Sequence, residues 1–471
     1  MSFINRKKGN KVKSLIIFLV VFLIVAVGAF ISLSPTFEKN PPKISLDNEI
    51  YWNLKEPLKV KISDDYGIKS YRVLYSDGQN KKELQTKVVS QNKNEILLNV
   101  FPVKYNRFEK PPKEAQIYVE VTDSSKWNFF KGNVQKKLVD IKVDRRSPYT
   151  SVINNSYMLK QGGSATVVVK VEDENLDDFY ITLNNEERFE LIPFYKENYY
   201  MAIIAWPVYI NEFRRVNLVA IDKAGNRSTT KVPYYIKSLK VKADKIKLSD
   251  NFINNVSRNV LEKSGFNVPN EPEQVFVASN SDLREANVET IKEVSRTSMD
   301  LSKVSGFNLK AFRQLRGSKN FAGYADRRHY YYNGQKIDEA WHLGMDWASI
   351  KQADVYATNP GKVIYKDYLG IYGNTAIIDH GFGLASLYAH TSNLDIENYD
   401  YVDAGQKIAN TGATGAVFGD HLHFGILVQG IEVNPLEWMD RNWISINVTK
   451  ILERSKKVID SKWDKEQYKS Q

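Results

Sequence analysis

An uncharged run from Leu15 to Leu33, broken only by Gly28 and Ser32, opens the hydrophobic pattern. Roughly 20 such residues cross a bilayer as a helix. From about Lys43 to Ile236 the period falls to two. Leu58-Lys-Val60-Lys-Ile62 and Val167-Val-Val169-Lys-Val171 are half-buried strands by pattern. A faint repeat at roughly 100 residues, the size of one sandwich, links Val60-Lys-Ile62-Ser-Asp64 to Val169-Lys-Val171-Glu-Asp173. Between Lys237 and Phe307 the period becomes helical. Phe252, Val256 and Val260 share a face, and Gly265 stops the helix. Asp282-Leu-Arg-Glu285 predicts a capping box opening a second helix, separated from the first by Pro269 and Pro272. After Gly306 short apolar runs alternate with turns at Asn359-Pro-Gly361, Tyr372-Gly-Asn374, His380-Gly-Phe-Gly383 and Gly412-Ala-Thr-Gly415. These predict a compact, mainly antiparallel sheet. Val448 to Lys462 predicts a surface helix.

The resulting plan is multidomain and mainly β. A basic tail (1–13) precedes a transmembrane helix (14–34). Two immunoglobulin-like β-sandwiches (40–145 and 146–238) follow, then a helical connector (239–305), an antiparallel sheet domain (306–440) and a helical tail (441–471). The phrase from Ala220 to Asn226 resembles the late strand and turn of bacterial immunoglobulin-like modules. The sandwiches read as a spacer, with a specific binding role as the functional alternative. The connector's apolar faces need a partner, either the sandwiches or the side of a substrate groove.

Arg6, Lys7, Lys8, Lys11 and Lys13 precede the apolar run, and only Glu38 and Lys39 follow closely. That asymmetry keeps the tail in the cytoplasm and sends the bulk outward. A cleaved signal peptide is the competing reading, but no clear Ala-x-Ala-like site follows the run. The expectation is a single-pass protein of a bacterial inner (cytoplasmic) membrane, its C-terminal bulk in the periplasm or extracytoplasmic space. The net charge of +11 forms no concentrated stripe of the kind nucleic-acid binders carry. The absence of cysteine excludes disulfides, thiolate–metal sites and thiol nucleophiles.

All six histidines fall between His329 and His423. His421 and His423 flank one residue, so in a strand both imidazoles face one side. His342 and Asp346 stand four apart, but Gly344 between them argues for a strand end or turn rather than a helical metal motif. Two imidazoles and a carboxylate make a catalytic zinc set with one position open. His342, Asp346 and one member of the pair would bind, leaving the other member and His390 for proton transfer. His329 and His380 read as ordinary core or surface histidines.

His342-Leu-Gly-Met-Asp346, Leu387-Tyr-Ala-His390 and His421-Leu-His423-Phe-Gly425 resemble, in order and spacing, the motifs of lysostaphin/LytM-type zinc endopeptidases. The resemblance runs from about Phe307 to Asp440, with supporting matches at Ala357 to Gly361, Gly405 to Ile408 and Asn434-Pro435. It implies one zinc per chain held by His342, Asp346 and His423. It also implies His390 and His421 as the catalytic pair, and hydrolysis of peptidoglycan peptides in a groove on an antiparallel sheet. Relatives lacking the ligands act as activators of other wall hydrolases, so a non-catalytic, membrane-tethered regulator is the alternative. The aromatic insert Tyr330-Tyr-Tyr-Asn-Gly334 departs from the family pattern and either lines the groove or packs.

Overall fold

The computed structural model describes residues 9–91, 93–106, 108–241 and 243–470, with only the backbone at 9–11 and 462–470. Arg6, Lys7 and Lys8 of the expected cytoplasmic tail lie outside the described residues. The fold is mainly β. Among the described residues one helix, Gly9–Leu33, is long and apolar enough to cross a membrane.

The chain divides into two compact units, residues 1–147 with 221–226, and residues 148–220 with 227–471. In the first, alternation builds two sheets. Lys43–Ser45, Leu58–Ser63 and Glu95–Val100 form one. Glu49–Trp52, Val134–Val143, Glu114–Asp123, Ile68–Ser76 and Lys81–Val88 form the other. Val60, Ile62 and Leu98 of one sheet and Val73, Ile117, Val119 and Val139 of the other are buried in a shared core.

In the second unit a sheet of Ile192–Pro193, Tyr199–Ala205, Ser164–Glu172 and Tyr149–Asn155 shares one continuous core with residues after 306. Val167, Ile203 and Trp206 belong to the same cluster as Phe424, Trp438, Val448 and Ile451. The C-terminal helix Lys450–Ser470 packs on Tyr149–Asn155 and Ser164–Glu172. It buries Ile451, Leu452 and Ile459, so its apolar stripe faces a partner as a 3.6-residue period requires. Glu437 is caught at this junction. Its Oε2 accepts the Ser164 N–H at 2.8 Å, and a side-chain carbon on Gly163 would meet its Oε1 at 2.6 Å.

Burial pushes the Glu437 carboxyl up to about 7, against the Ser164 bond and Lys160, which lower it. A folded-state value above the unfolded one means the stabilisation is full below about 4.5 and is lost as pH rises through 7. Glu437→Gln keeps an acceptor for Ser164 and cannot ionise. Relative to the parent, it is expected to gain stability at pH 8 and not at pH 4, read by urea denaturation at the two pH values.

The main sheet orders Lys319–Ala322, Met345–Ala348, Leu422–Val428, Leu384–Thr391, Asn374–Asp379, Gly361–Tyr368 and Tyr401–Val402, with Ile431–Val433 beside Leu422–Val428. Its central strands, Leu384–Thr391 and Leu422–Val428, are buried on both faces. Leu384, Tyr388, Phe424, Ile426 and Val428 turn into the core shared with the second unit's other sheet. Ala385, Leu387, Ala389 and Leu427 turn the opposite way, under Phe252, Val260, Leu261, Phe276 and Ile291 of the connector. The connector helices therefore cover the second face of this sheet, where packing against the sandwiches was the ordinary expectation.

The capping box expected at Asp282 is not one. Helical backbone runs unbroken from Pro272 to Thr297, and Asp282 has helical angles and makes no capping bond. The start lies at Glu271–Pro272, where proline pre-sets the first turn. By contrast Ser249 caps the first helix by accepting the Phe252 N–H. The connector also contributes a strand, Ala243–Lys247, which pairs in parallel with Arg327–Tyr332. The tyrosine insert is the hairpin Arg327–Tyr332/Gln335–Trp341. Its tip, Asn333-Gly334, has positive φ at both residues, the form a tight two-residue hairpin turn demands.

Candidate metal centre

Register brings the chemistry together. Asp346 and His423 are direct cross-strand partners between Met345–Ala348 and Leu422–Val428. On the other side of that strand His423 pairs with Ala389, which sets His390 one residue further along. His342 sits in the turn between Gln335–Trp341 and Met345–Ala348. His421 forms an isolated bridge to Gly412 just before its strand. All five lie at the end of the face that the connector covers.

His342 Nε2, His423 Nδ1 and Asp346 Oδ1 form a triangle with sides of 3.1, 3.0 and 2.9 Å. All three residues are buried. His342 Nδ1 is 2.7 Å from the Gly323 carbonyl, which accepts only, so that nitrogen carries the proton and Nε2 presents a lone pair. Burial, and His342 and His421 nearby, push His423 down to about 4, against Asp346, which raises it. Burial opposes ionisation of Asp346, but His342 and His423 outweigh it and hold the carboxyl below the usual range. Two imidazoles and a carboxylate thus converge on one point. Ligand atoms around a tetrahedral ion at about 2.0–2.1 Å lie roughly 3.3 Å apart, close to the observed triangle. The donor set fits a zinc ion.

Two further imidazoles flank the triangle. His390 and His421 have ring centroids 4.9 Å apart, and His390 lies 5.7 Å from His423. His421 Nε2 is 3.6 Å from Asp346 Oδ1. The Thr414 and Gly419 carbonyls, each at 2.8 Å, accept from Nδ1 of His390 and His421 respectively. Both therefore offer Nε2 as the free, basic atom. Burial, with His423 and His421 nearby, holds His390 well below the usual imidazole range, so it is neutral at pH 7. Its backbone is left-handed, φ +61°, a conformation costly for a non-glycine residue and concentrated at functional sites.

The other two histidines stand apart from the triangle. His329 Nε2 lies 3.2 Å from Glu339 Oε2 on the hairpin. His380 is buried between the Pro360 carbonyl and Ser386 Oγ, and burial pushes it down to about 4.

Sequence reasoning missed two neighbours. Arg328 Nη2 lies 3.6 Å from Asp346 Oδ2; only the insert's basic start hinted at it. Gly344 is the second. A side-chain carbon there would meet His423 Nε2 at 2.5 Å and the Phe424 carbonyl at 2.7 Å. The motif's glycine is thus a bearing surface for the His423 ring. Gly344→Ala is expected to weaken metal binding about 10–100-fold, the scale for disturbed ligand support, in a chelator competition assay.

Comparison with known proteins places this region. Residues 340–435 match the model of Peptidase family M23. The peptidoglycan DD-endopeptidase ShyB of Vibrio cholerae is 34% identical over 128 residues, 27% of this chain and 28% of ShyB. The murein hydrolase activator NlpD of Escherichia coli is 39% identical over 102 residues, 21% of this chain and 27% of NlpD. The chain thus spans under a third of the length of these curated relatives. Among solved structures, the catalytic domain of lysostaphin from Staphylococcus simulans aligns with 28% of this chain and 98% of its own, at 27% identity and a TM-score of 0.24. Residues 340–435 of this chain are a Peptidase family M23 domain.

Proposed function

We propose that this chain is a zinc-dependent endopeptidase that hydrolyses peptide bonds of peptidoglycan. The observation that carries the reading is the convergence of three buried lone-pair atoms within 3.1 Å of one another, flanked by two imidazoles with free Nε2 atoms. His342, Asp346 and His423 would hold one zinc per chain. When bound, zinc supplies Lewis-acid polarisation of the scissile carbonyl. The chain's own residues manage protons. Neutral His390, and His421 beside it, accept at Nε2 the proton lost by the attacking water. The same atom then carries that proton to the departing amide nitrogen. Water adds across the C–N bond, giving a carboxylate and an amine. The Nδ1 bonds to Thr414 and Gly419 fix both rings for this exchange.

On this reading the helix Gly9–Leu33 is a single-pass anchor in a bacterial inner membrane, and the body works in the periplasm. Residues 40–145 and 146–238 are immunoglobulin-like modules; the two-sheet core of residues 43–143 supports the first assignment. They carry the site away from the membrane and offer surfaces to wall-synthesis or hydrolase regulators. The likeness to an activator of murein hydrolases motivates a second reading, in which the domain stimulates another enzyme. Purified zinc-loaded chain added to sacculi separates the two. Release of cleaved muropeptides by the chain alone supports the endopeptidase. Release only when a second hydrolase is added supports the activator.

A further inference from the structure

A cavity of about 620 Å³ opens onto the three ligand atoms, and the connector forms one of its walls. Arg284 belongs to that wall. Its guanidinium is held along one edge. Nε donates to the Asn280 carbonyl at 2.9 Å and Nη2 to Asn280 Oδ1 at 2.8 Å. Asn280 is in turn buried and fixed, donating to Asp338 Oδ2 at 2.9 Å; Ser281 Oγ donates to the same oxygen.

The other cations nearby have carboxylate partners. Lys292 and Arg296 on the same helix reach Glu187, and Arg328 faces Asp346. Asp326 accepts from Gly323 N, and Asp420 from Thr411 Oγ1 and Gln352 N. Tyr372 donates to the buried Glu432 carboxyl, on which Arg284 acts only as a longer-range charge. Among the described residues Arg284 pairs with no carboxylate. A partly buried guanidinium without an anion is costly unless a ligand supplies one. Its planar fork suits a carboxylate, and fixing it beforehand lowers the entropy lost on binding.

We infer that Arg284 anchors a free carboxylate of the substrate beside the scissile bond. The inference rests on the peptidase reading above and narrows its substrate class. An internal α-carboxyl is consumed in the next amide, so a free one beside the cut belongs to a chain end or a branch point. The preferred peptides are therefore those whose released residue keeps its own carboxylate. A terminal D-alanine meets this condition, as does a cross-link formed on the amine of a diamino acid centre that carries its own carboxyl. Arg284 is a specificity residue supplied by the connector, outside residues 340–435.

The test uses the zinc-loaded full chain and two stem pentapeptides ending in D-Ala-D-Ala, one with a free C-terminus and one amidated. The parent is expected to cleave the free acid at least about tenfold more efficiently in kcat/KM. Arg284→Gln should erase that preference, mainly through KM. Arg284→Lys should keep part of it, with zinc content and melting temperature unchanged for both variants. An indifferent parent, or an Arg284→Gln chain slowed equally on both peptides, overturns the inference and leaves Arg284 a structural residue held by Asn280. If the parent cuts neither these peptides nor sacculi, the peptidase reading fails. Calorimetric binding of the same pair then decides the inference alone: equal affinity for acid and amide overturns it.

Discussion

Replacing His342 with alanine is expected to strip the metal and lower hydrolysis by roughly 10³-fold or more. A bound metal contributes several kcal/mol of transition-state charge stabilisation, and each 1.36 kcal/mol is tenfold. The triangle of His342 Nε2, His423 Nδ1 and Asp346 Oδ1 offers three ligands and no spare, so two would remain. Asp346→Asn should act alike for a different reason. It preserves shape but leaves two neutral imidazoles without the anion that offsets the ion's charge. Zinc per chain after dialysis, by atomic absorption, should fall from near one to near zero in both variants. Retention of zinc by either would remove that residue from the ligand set.

The second large effect separates chemistry from metal. His390→Ala and His421→Ala should each keep zinc and lose about 10²–10⁴ in kcat, the range of positioned acid–base groups. Neither ring belongs to the triangle. Both have Nδ1 tied to a carbonyl and Nε2 free. The double variant should be little worse than either single one if the two act on the same proton, because residues acting as a unit are not additive. Zinc loss from His421→Ala with zinc kept by His423→Ala would reverse the assignment within the His-Leu-His pair.

Part of this site's arrangement was legible from local spacing. The i, i+2 spacing of His421 and His423 puts both on one side of extended chain, and the structure sets both against Asp346. Glycine between His342 and Asp346 spoke against a helix, and a turn into a strand is found there. Register was beyond reach. Nothing local says that Asp346 faces His423 across 77 residues, since pairing is set by which faces the whole sheet buries. The same limit hid the role of Gly344, whose neighbour is a ring from a distant strand.

The helix start at Pro272 was misread for a local reason. Asp282 to Glu285 has the spacing of a cap, but the apolar face of Val275 and Phe276 carries the helix through it. Tertiary burial outweighed the capping preference there. The C-terminal helix reads as surface by charge, yet Ile451, Leu452 and Ile459 are buried on a sheet some 300 residues earlier in the chain. The connector was legible as amphipathic, with its partner undetermined. The sheet face it covers is the one that holds the triangle of His342, Asp346 and His423.

Peptide hydrolysis at this site is tested most directly in water enriched in oxygen-18. Purified, zinc-loaded chain is incubated alone with sacculi, and the released muropeptides are analysed by mass spectrometry. The account predicts new peptide carboxylates carrying one heavy oxygen, each matched by a new amine, and both products reduced at least about 10²-fold with the His421→Ala chain. Unlabelled sacculi with no new peptide termini from a fully zinc-loaded parent would contradict it.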